Sequence, residues 1–287
     1  GGKRMRPALL LMANDLFDGK LEDAINPALA VEVFHNFTLL HDDIMDRAPM
    51  RRGQQTVHEK WGVNEAILSG DVMMVQAVQL MTQCPDVVLR EVLSVFHVTA
   101  VEVCEGQQMD MDFESRDDVS IQEYLKVIEL KTSVLLAGAM KIGALIGGAS
   151  KDDAERIYNF GRNLGVSFQI MDDILDVYGN QENFGKQVGG DIIENKKTYL
   201  LLKAFELADE SRHESLQEAL VLTESDSVEK VSLVTGVYDS LGVRADTEVV
   251  MNQYYDAAIK NLDSISLPEE KKAPLYALAN QLLLRNS

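Results

Sequence analysis

Two cysteines, Cys84 and Cys104, are all that 287 residues contain. They are too few for a disulfide framework and lack zinc-ligand spacing, so they read as buried thiols in a reducing compartment, and the location expected is cytoplasmic. Positive charge is also scarce: 27 Lys and Arg face 46 Asp and Glu, for a net charge of −19. That balance argues against nucleic acid as a partner and against docking on an anionic membrane. No apolar run is long enough to span a bilayer comfortably; the longest, from Ser133 to Ala149, is interrupted by Lys141. No integral membrane segment or signal-peptide pattern is present. No alternating strand pattern with turn punctuation occurs, and no linker or composition break divides the chain, so one domain over 1–287 is expected. The sequence opens at Gly1 without an initiator Met, and a native N-terminal segment is expected to precede it.

What is present is helical periodicity. Leu9, Leu10, Met12, Ala13 and Leu16 make a stripe across Arg4 to Phe17. Asn26-Pro27 has the form of a cap with Pro at the first helical position, opening a helix with Phe34, Phe37, Leu40 and Ile44 along it. Arg47 to Gly53 reads as a loop. Further helices are expected near Asn64 to Gln83, Val87 to Phe113, Ser120 to Gly148 and Asp152 to Tyr178. Gly179 to Asn195 reads as loop, and about four amphipathic segments follow between Thr198 and Leu284. The fold class expected is all-α, a single-domain bundle of long helices around a central cavity.

One pattern occurs twice. Asp42-Asp43-Ile44-Met45-Asp46 and Asp172-Asp173-Ile174-Leu175-Asp176 share an Asp-Asp-x-x-Asp spacing, each entered from apolar residues. Residues four apart share a helix face, so Asp42 aligns with Asp46 and Asp172 with Asp176. No Lys or Arg inside either motif relieves the repulsion. Oxygen-only clusters of this kind suit a hard divalent cation, above all Mg2+, which completes its shell with water and a phosphate substrate.

The few cations gather near these carboxylates. Lys3 and Arg6 are three apart at the start of the chain; Arg51 and Arg52 follow the first motif; Lys186, Lys196 and Lys197 follow the second. The grouping suggests a diphosphate held partly by metal and partly by Arg and Lys. His35, seven residues before Asp42, falls close to the same face, where a binding role competes with an ordinary core position.

Over nearly its whole length the chain resembles the trans-prenyltransferases, or polyprenyl diphosphate synthases. The matching stretches are Gly2-Lys3-Arg4-Met5-Arg6-Pro7, His35, Leu40 to Asp46, Arg51-Arg52-Gly53, Gly106-Gln107, Lys131-Thr132, Phe168 to Asp176, and Gly185-Lys186 through Lys196. The resemblance implies that an allylic diphosphate ionises, that isopentenyl diphosphate attacks the carbocation, and that proton loss completes the extension. It further implies three Mg2+ ions per active site, held by Asp42, Asp46 and Asp172, with the remaining motif carboxylates Asp43, Asp173 and Asp176 taking part in catalysis. Arg51, Lys131, Gln169, Lys186 and Lys196 match positions that bind the allylic diphosphate. Lys3, Arg6, His35 and Arg52 match those that bind isopentenyl diphosphate, and Thr132 one that steadies the cation. A homodimer is the usual assembly.

Two rivals follow less well. A class I terpene cyclase carries an Asn-x-x-x-Ser-x-x-x-Glu second motif and has no use for an isopentenyl site. A non-catalytic partner subunit is expected to have lost one Asp motif. For product length, Phe37 lies roughly 7 Å and Phe34 roughly 12 Å before Asp42 along a helix rising 1.5 Å per residue. Helical geometry alone favours Thr38 as the residue nearest the face of Asp42. The family places its cavity floor five residues before the motif, at Phe37. The pattern Phe37-Thr38 with no insertion in the first motif resembles a geranylgeranyl diphosphate synthase, with a farnesyl diphosphate synthase as the alternative.

Overall fold

A computed structural model describes residues 4–179, 189–223 and 226–283. They are overwhelmingly helical: α1 (Met5–Leu16), α2 (Leu21–Met45), α3 (Val57–Trp61), α4 (Val63–Met81), α5 (Asp86–Glu114), α6 (Ile121–Ile128), α7 (Val134–Ile146), α8 (Lys151–Tyr178), α9 (Gly190–Ile193), α10 (Tyr199–Leu207), α11 (Glu210–Leu220), α12 (Ser227–Leu241), α13 (Val243–Asp263) and α14 (Glu269–Leu283). Among the described residues no helix is long and apolar enough to cross a membrane. The all-α expectation is met. Two compact units divide the chain: Gly1–Val103 with Val134–Gly161 and Asn261–Pro274, and Cys104–Ser133 with Arg162–Lys260 and Leu275–Ser287.

In the first unit α2 packs on α1, α4 and α7, and α1 packs on α7. Small residues make the approach possible. Ala24, Ala28 and Ala30 of α2 are buried, and every residue from Val134 to Ile146 except Leu136 and Lys141 is buried as well. A methyl group on Gly143 would lie 2.0 Å from the Leu10 carbonyl oxygen, so α1 and α7 meet there at backbone distance. In the second unit Leu200, Leu201 and Ala204 of α10 share a core with Leu216 and Ala219 of α11, Val234 and Tyr238 of α12, and Val177 of α8. Each unit also buries a lysine at helix ends. Lys230, 2% exposed, donates to the carbonyls of Ile193 and Leu222. Lys272, 5% exposed, donates to those of Asp263 and Ile265. One carbonyl of each pair, Ile193 and Asp263, is the last of its helix and lacks an intrahelical partner; the others, Leu222 and Ile265, lie just beyond a helix end.

Several local expectations change. Helix α2 begins at Leu21, so Pro27 is interior rather than first. It withholds one helical hydrogen bond, and burial of Ala24, Ala28 and Val31 around it offsets that loss. The loop after α2 contains a two-residue antiparallel ladder, Met50–Arg51 against Gln54–Gln55. It turns through Arg52 (φ 53°) and Gly53 (φ 74°), the left-handed pair that a tight hairpin requires. The helix expected over Ser120 to Gly148 is broken by a π-helical turn, Glu129–Ser133. The turn lies against α5 at Gly106, where a Cβ would stand 2.5 Å from the Lys131 nitrogen, so the widened turn fits there only against glycine. Residues 190–193, expected as loop, form a helical turn whose Asp191 N–H donates to Asp176 Oδ2 at 2.9 Å. Among the described residues the C-terminal region holds five helices where about four were expected. Cys84 is buried as expected, but Cys104 is exposed on the outer face of α5.

Candidate active site

The first Asp motif ends α2. Asp43 is 5% exposed, and Arg51 from the hairpin reaches back to it, Nε donating to Oδ1 at 2.6 Å while Nη2 contacts Asp42 Oδ2 at 3.4 Å. Asp42 is half-buried and Asp46 exposed. The middle carboxylate therefore turns inward to an arginine, and the first and fifth stand on the outer face, one turn apart. Arg52, at the hairpin tip, is exposed.

Further back along α2, His35 Nε2 lies 3.1 Å from Arg6 Nη1. A guanidinium can only donate, so Nε2 accepts and the ring proton sits on Nδ1. Burial, reinforced by Arg6, Arg52 and Arg51, holds His35 down to about 3. Burial likewise lowers Arg6 to about 10, opposed by Glu32. Arg6 Nε is buried without a hydrogen-bond partner among the described residues. A half-buried cation whose buried Nε–H is unused is a place for an anion. Lys3 lies outside the described residues. Phe34, 1% exposed, and Phe37 have ring centroids 5.6 Å apart, and the Thr38 hydroxyl is used on its own helix, donating to the His35 carbonyl at 2.8 Å.

The second motif is built to the same plan with a different partner. Asp173 is 5% exposed and accepts from the Tyr124 hydroxyl and, at 3.3 Å, from the Tyr199 N–H. Burial outweighs these bonds and pushes its carboxyl up to about 8. Asp172 and Asp176 are half-buried, and Asp176 also accepts from the Gly189 N–H through its carbonyl at 2.6 Å. Gln169 is half-buried one turn earlier on α8. Lys131 and Thr132 sit inside the π turn, where Lys131 Nζ donates to Asp110 Oδ2 at 2.6 Å. Lys196 Nζ donates to Asp191 Oδ1 at 3.0 Å. Lys186 lies outside the described residues.

Sequence reasoning missed Tyr124, the Tyr199 N–H, Asp110 and Asp191, which orient members of the second cluster. No signal pairs Tyr124 with Asp173 across 48 intervening positions; Asp191 at least lay in the polar stretch between Asp176 and Lys196. Gln107 Nε2 is buried without a partner among the described residues, so Gln107 also offers an unused donor in this unit. Among the described residues no three His, Cys, Asp or Glu side chains converge as a ready-made metal cage. The donor set fits magnesium all the same, because that ion uses one or two carboxylates and draws its other ligands from water and phosphate.

The family described as Polyprenyl synthetase matches residues 1–237. The chain belongs to the polyprenyl synthetase family. Its similarity to the geranylgeranyl diphosphate synthase of Methanosarcina mazei is 47% identity over 208 residues, 72% of this chain and 64% of that enzyme, so the match spans under two thirds of that relative's length. The geranylgeranyl diphosphate synthase of Sulfolobus acidocaldarius is 39% identical over 93% of this chain and 81% of its own. A crystal structure of a geranylgeranyl pyrophosphate synthase superposes with a TM-score of 0.94 at 47% identity, covering all of this chain and 89% of the other. The polyprenyl synthetase likeness thus extends through the C-terminal third, where the motifs had added little.

Proposed function

We propose that the protein is a chain-elongating trans-prenyltransferase that joins isopentenyl diphosphate to allylic diphosphates and releases chiefly geranylgeranyl diphosphate. The observation that carries this reading is the shared division of labour in two Asp motifs of a polyprenyl synthetase. In each, the second carboxylate is locked inward by a donor, Arg51 or Tyr124, and the first and fifth keep more outward positions. Asp42, Asp46 and Asp172 would hold magnesium, three ions per site in this reading. Magnesium, when bound, neutralises the charge that grows on a departing diphosphate.

The chain's own groups supply the rest. Arg51, Lys131, Gln169, Lys186 and Lys196 bind the allylic diphosphate; three of these cations are already oriented by Asp43, Asp110 and Asp191. Lys3, Arg6, His35 and Arg52 bind isopentenyl diphosphate. The neutral His35 fixes Arg6 without adding charge, and the unused Nε of Arg6 supports an anion there. Thr132 presents a hydroxyl dipole towards the carbocation, and Phe37 with Phe34 closes the chain cavity. Asp43, Asp173 and Asp176 act through position, by holding Arg51, Tyr124 and the turn at Asp191.

A homodimer and a cytoplasmic location belong to the same reading. Leu68, Val72 and Val75 form an exposed stripe on α4, and Val98 and Val101 another on α5, with Cys104 continuing it. Buried apolar contact between two copies would cover such faces, and two free thiols suit a reducing compartment.

The test is incubation of the purified protein with magnesium, isopentenyl diphosphate and allylic starters of five, ten and fifteen carbons, with chromatography of the dephosphorylated products. A twenty-carbon alcohol from all three is expected. Absence of any elongation overturns the assignment.

A further inference from the structure

Beside the first Asp motif stands a contact that none of the roles above uses. His41 immediately precedes Asp42, and its Nε2 lies 3.2 Å from the carbonyl oxygen of Ile67 on α4. A carbonyl only accepts, so Nε2 carries the proton and donates. The contact exists because residue 70 is glycine: a Cβ there would lie 2.2 Å from His41 Nε2 and 2.6 Å from its Cδ2. Gly70 lies within α4, where glycine costs helix stability relative to alanine, so its value is the room it gives the imidazole.

The other side of the imidazole meets Phe37, ring centroids 4.8 Å apart at 66°. Phe37 meets Phe34 at 5.6 Å, and Phe34 meets Phe96 of α5 at 5.4 Å. Positions 34, 37 and 41 are spaced three and four apart, so these rings follow one another, tilted and edge to face, along one face of α2. The ladder is anchored at its lower end by Phe34, 1% exposed, and Phe96, likewise 1% exposed. At its upper end only the His41 to Ile67 hydrogen bond keeps the last ring in place among the contacts of this ladder.

We propose that His41 and Gly70 are specificity-determining positioning residues: the imidazole, clamped to α4 over a glycine, braces Phe37 and so sets the length of the prenyl chain the site accepts. The inference rests on the reading of Phe37 as cavity floor. Neither residue touches the reacting atoms. Loss of the clamp lets the Phe37 ring tip away, which lengthens the cavity without removing any side chain from its floor.

The experiment measures product chain lengths of the full protein with magnesium, isopentenyl diphosphate and a fifteen-carbon starter. It compares wild type, His41→Ala, Gly70→Ala, Phe37→Ala and the Phe37→Ala/His41→Ala double variant. His41→Ala and Gly70→Ala are each expected to raise the ratio of products longer than twenty carbons to the twenty-carbon product by roughly tenfold, the shift that loss of one neutral hydrogen bond can produce. The double variant is expected to match Phe37→Ala alone, because without the ring there is nothing left to brace. Gly70→Ala retains every existing side chain, so it decides the matter if His41→Ala does not fold. A wild-type product ratio in a folded Gly70→Ala variant overturns the proposal, and so does a double variant whose shift is the sum of the two singles. Failure of the wild type to elongate any starter refutes the enzymatic reading instead, which keeps the two failures distinct.

Discussion

The Arg6–His35 pair makes a quantitative prediction. Burial disfavours the charged imidazole, and the neighbouring Arg6, Arg52 and Arg51 disfavour it further, so the value of His35 falls from 6.5 to about 3; protonation would also cost the bond that Nε2 accepts from Arg6. The folded value lies below the unfolded one, so the unfolded chain takes up the proton first as pH falls. The stability that neutral His35 contributes is complete above 6.5 and is lost progressively between 6.5 and 3. At pH 5 the unfolded imidazole is favoured by about 1.5 pH units, or about 2 kcal/mol at 1.36 kcal/mol per unit. His35→Gln keeps an acceptor for Arg6 but cannot titrate. The fall in urea-unfolding stability between pH 7 and pH 5 should therefore be about 2 kcal/mol smaller in His35→Gln than in wild type. Proton NMR supplies a direct check, since only five histidines are present: the resonance missing from His35→Gln should stay unshifted from pH 8 to pH 5. A midpoint above pH 5 for that resonance, or equal pH losses in the two proteins, would refute the reasoning.

Asp42→Asn and Asp172→Asn should each lower turnover at least about a hundredfold, the scale on which preplaced electrostatic groups act, while far-UV circular dichroism stays unchanged; near-normal rates at saturating magnesium would remove those carboxylates from the site. Tyr124→Phe should cost about 1–3 kcal/mol, because Asp173 is left buried without its hydroxyl donor; a urea midpoint within error of wild type would count against that role. Arg52→Ala should raise KM for isopentenyl diphosphate more than it lowers kcat, whereas Lys131→Ala should act on kcat or on the allylic partner, and an exchange of the two effects would reverse the assignment of the two diphosphates. Phe37→Ala should carry products past twenty carbons, read by chromatography, and an unchanged distribution would place the floor elsewhere.

The sequence displayed the two Asp motifs, and a spacing of four on a helix was enough to align Asp42 with Asp46 and Asp172 with Asp176. It could not tell the three aspartates of a motif apart, because that distinction comes from distant donors. Arg51 reaches Asp43 after a hairpin, and Tyr124 reaches Asp173 from another helix. Arg51 itself was read only as a diphosphate ligand, yet here it is already engaged with the motif beside it. The break at Glu129–Ser133 was hidden because Glu129, Leu130 and Lys131 are good helix formers, and the close approach that Gly106 permits, 25 positions earlier, is a tertiary contact with no local signature. Pro27 misled for a related reason, since its preference for a first turn is weak against the packing that carries α2 through it.

The two buried lysines have a use that concerns chemistry rather than stability. Lys230 belongs to one compact unit and Lys272 to the other, and each amine is shielded while the helix end whose carbonyl it bonds stays closed. An amine-acylating reagent should modify exposed lysines such as Lys151 quickly, and these two only when their own unit opens. Peptide mass spectrometry after a timed pulse would then yield two separate opening rates from one unmutated sample, a built-in pair of reporters on whether bound diphosphate quiets both halves of the chain or only one.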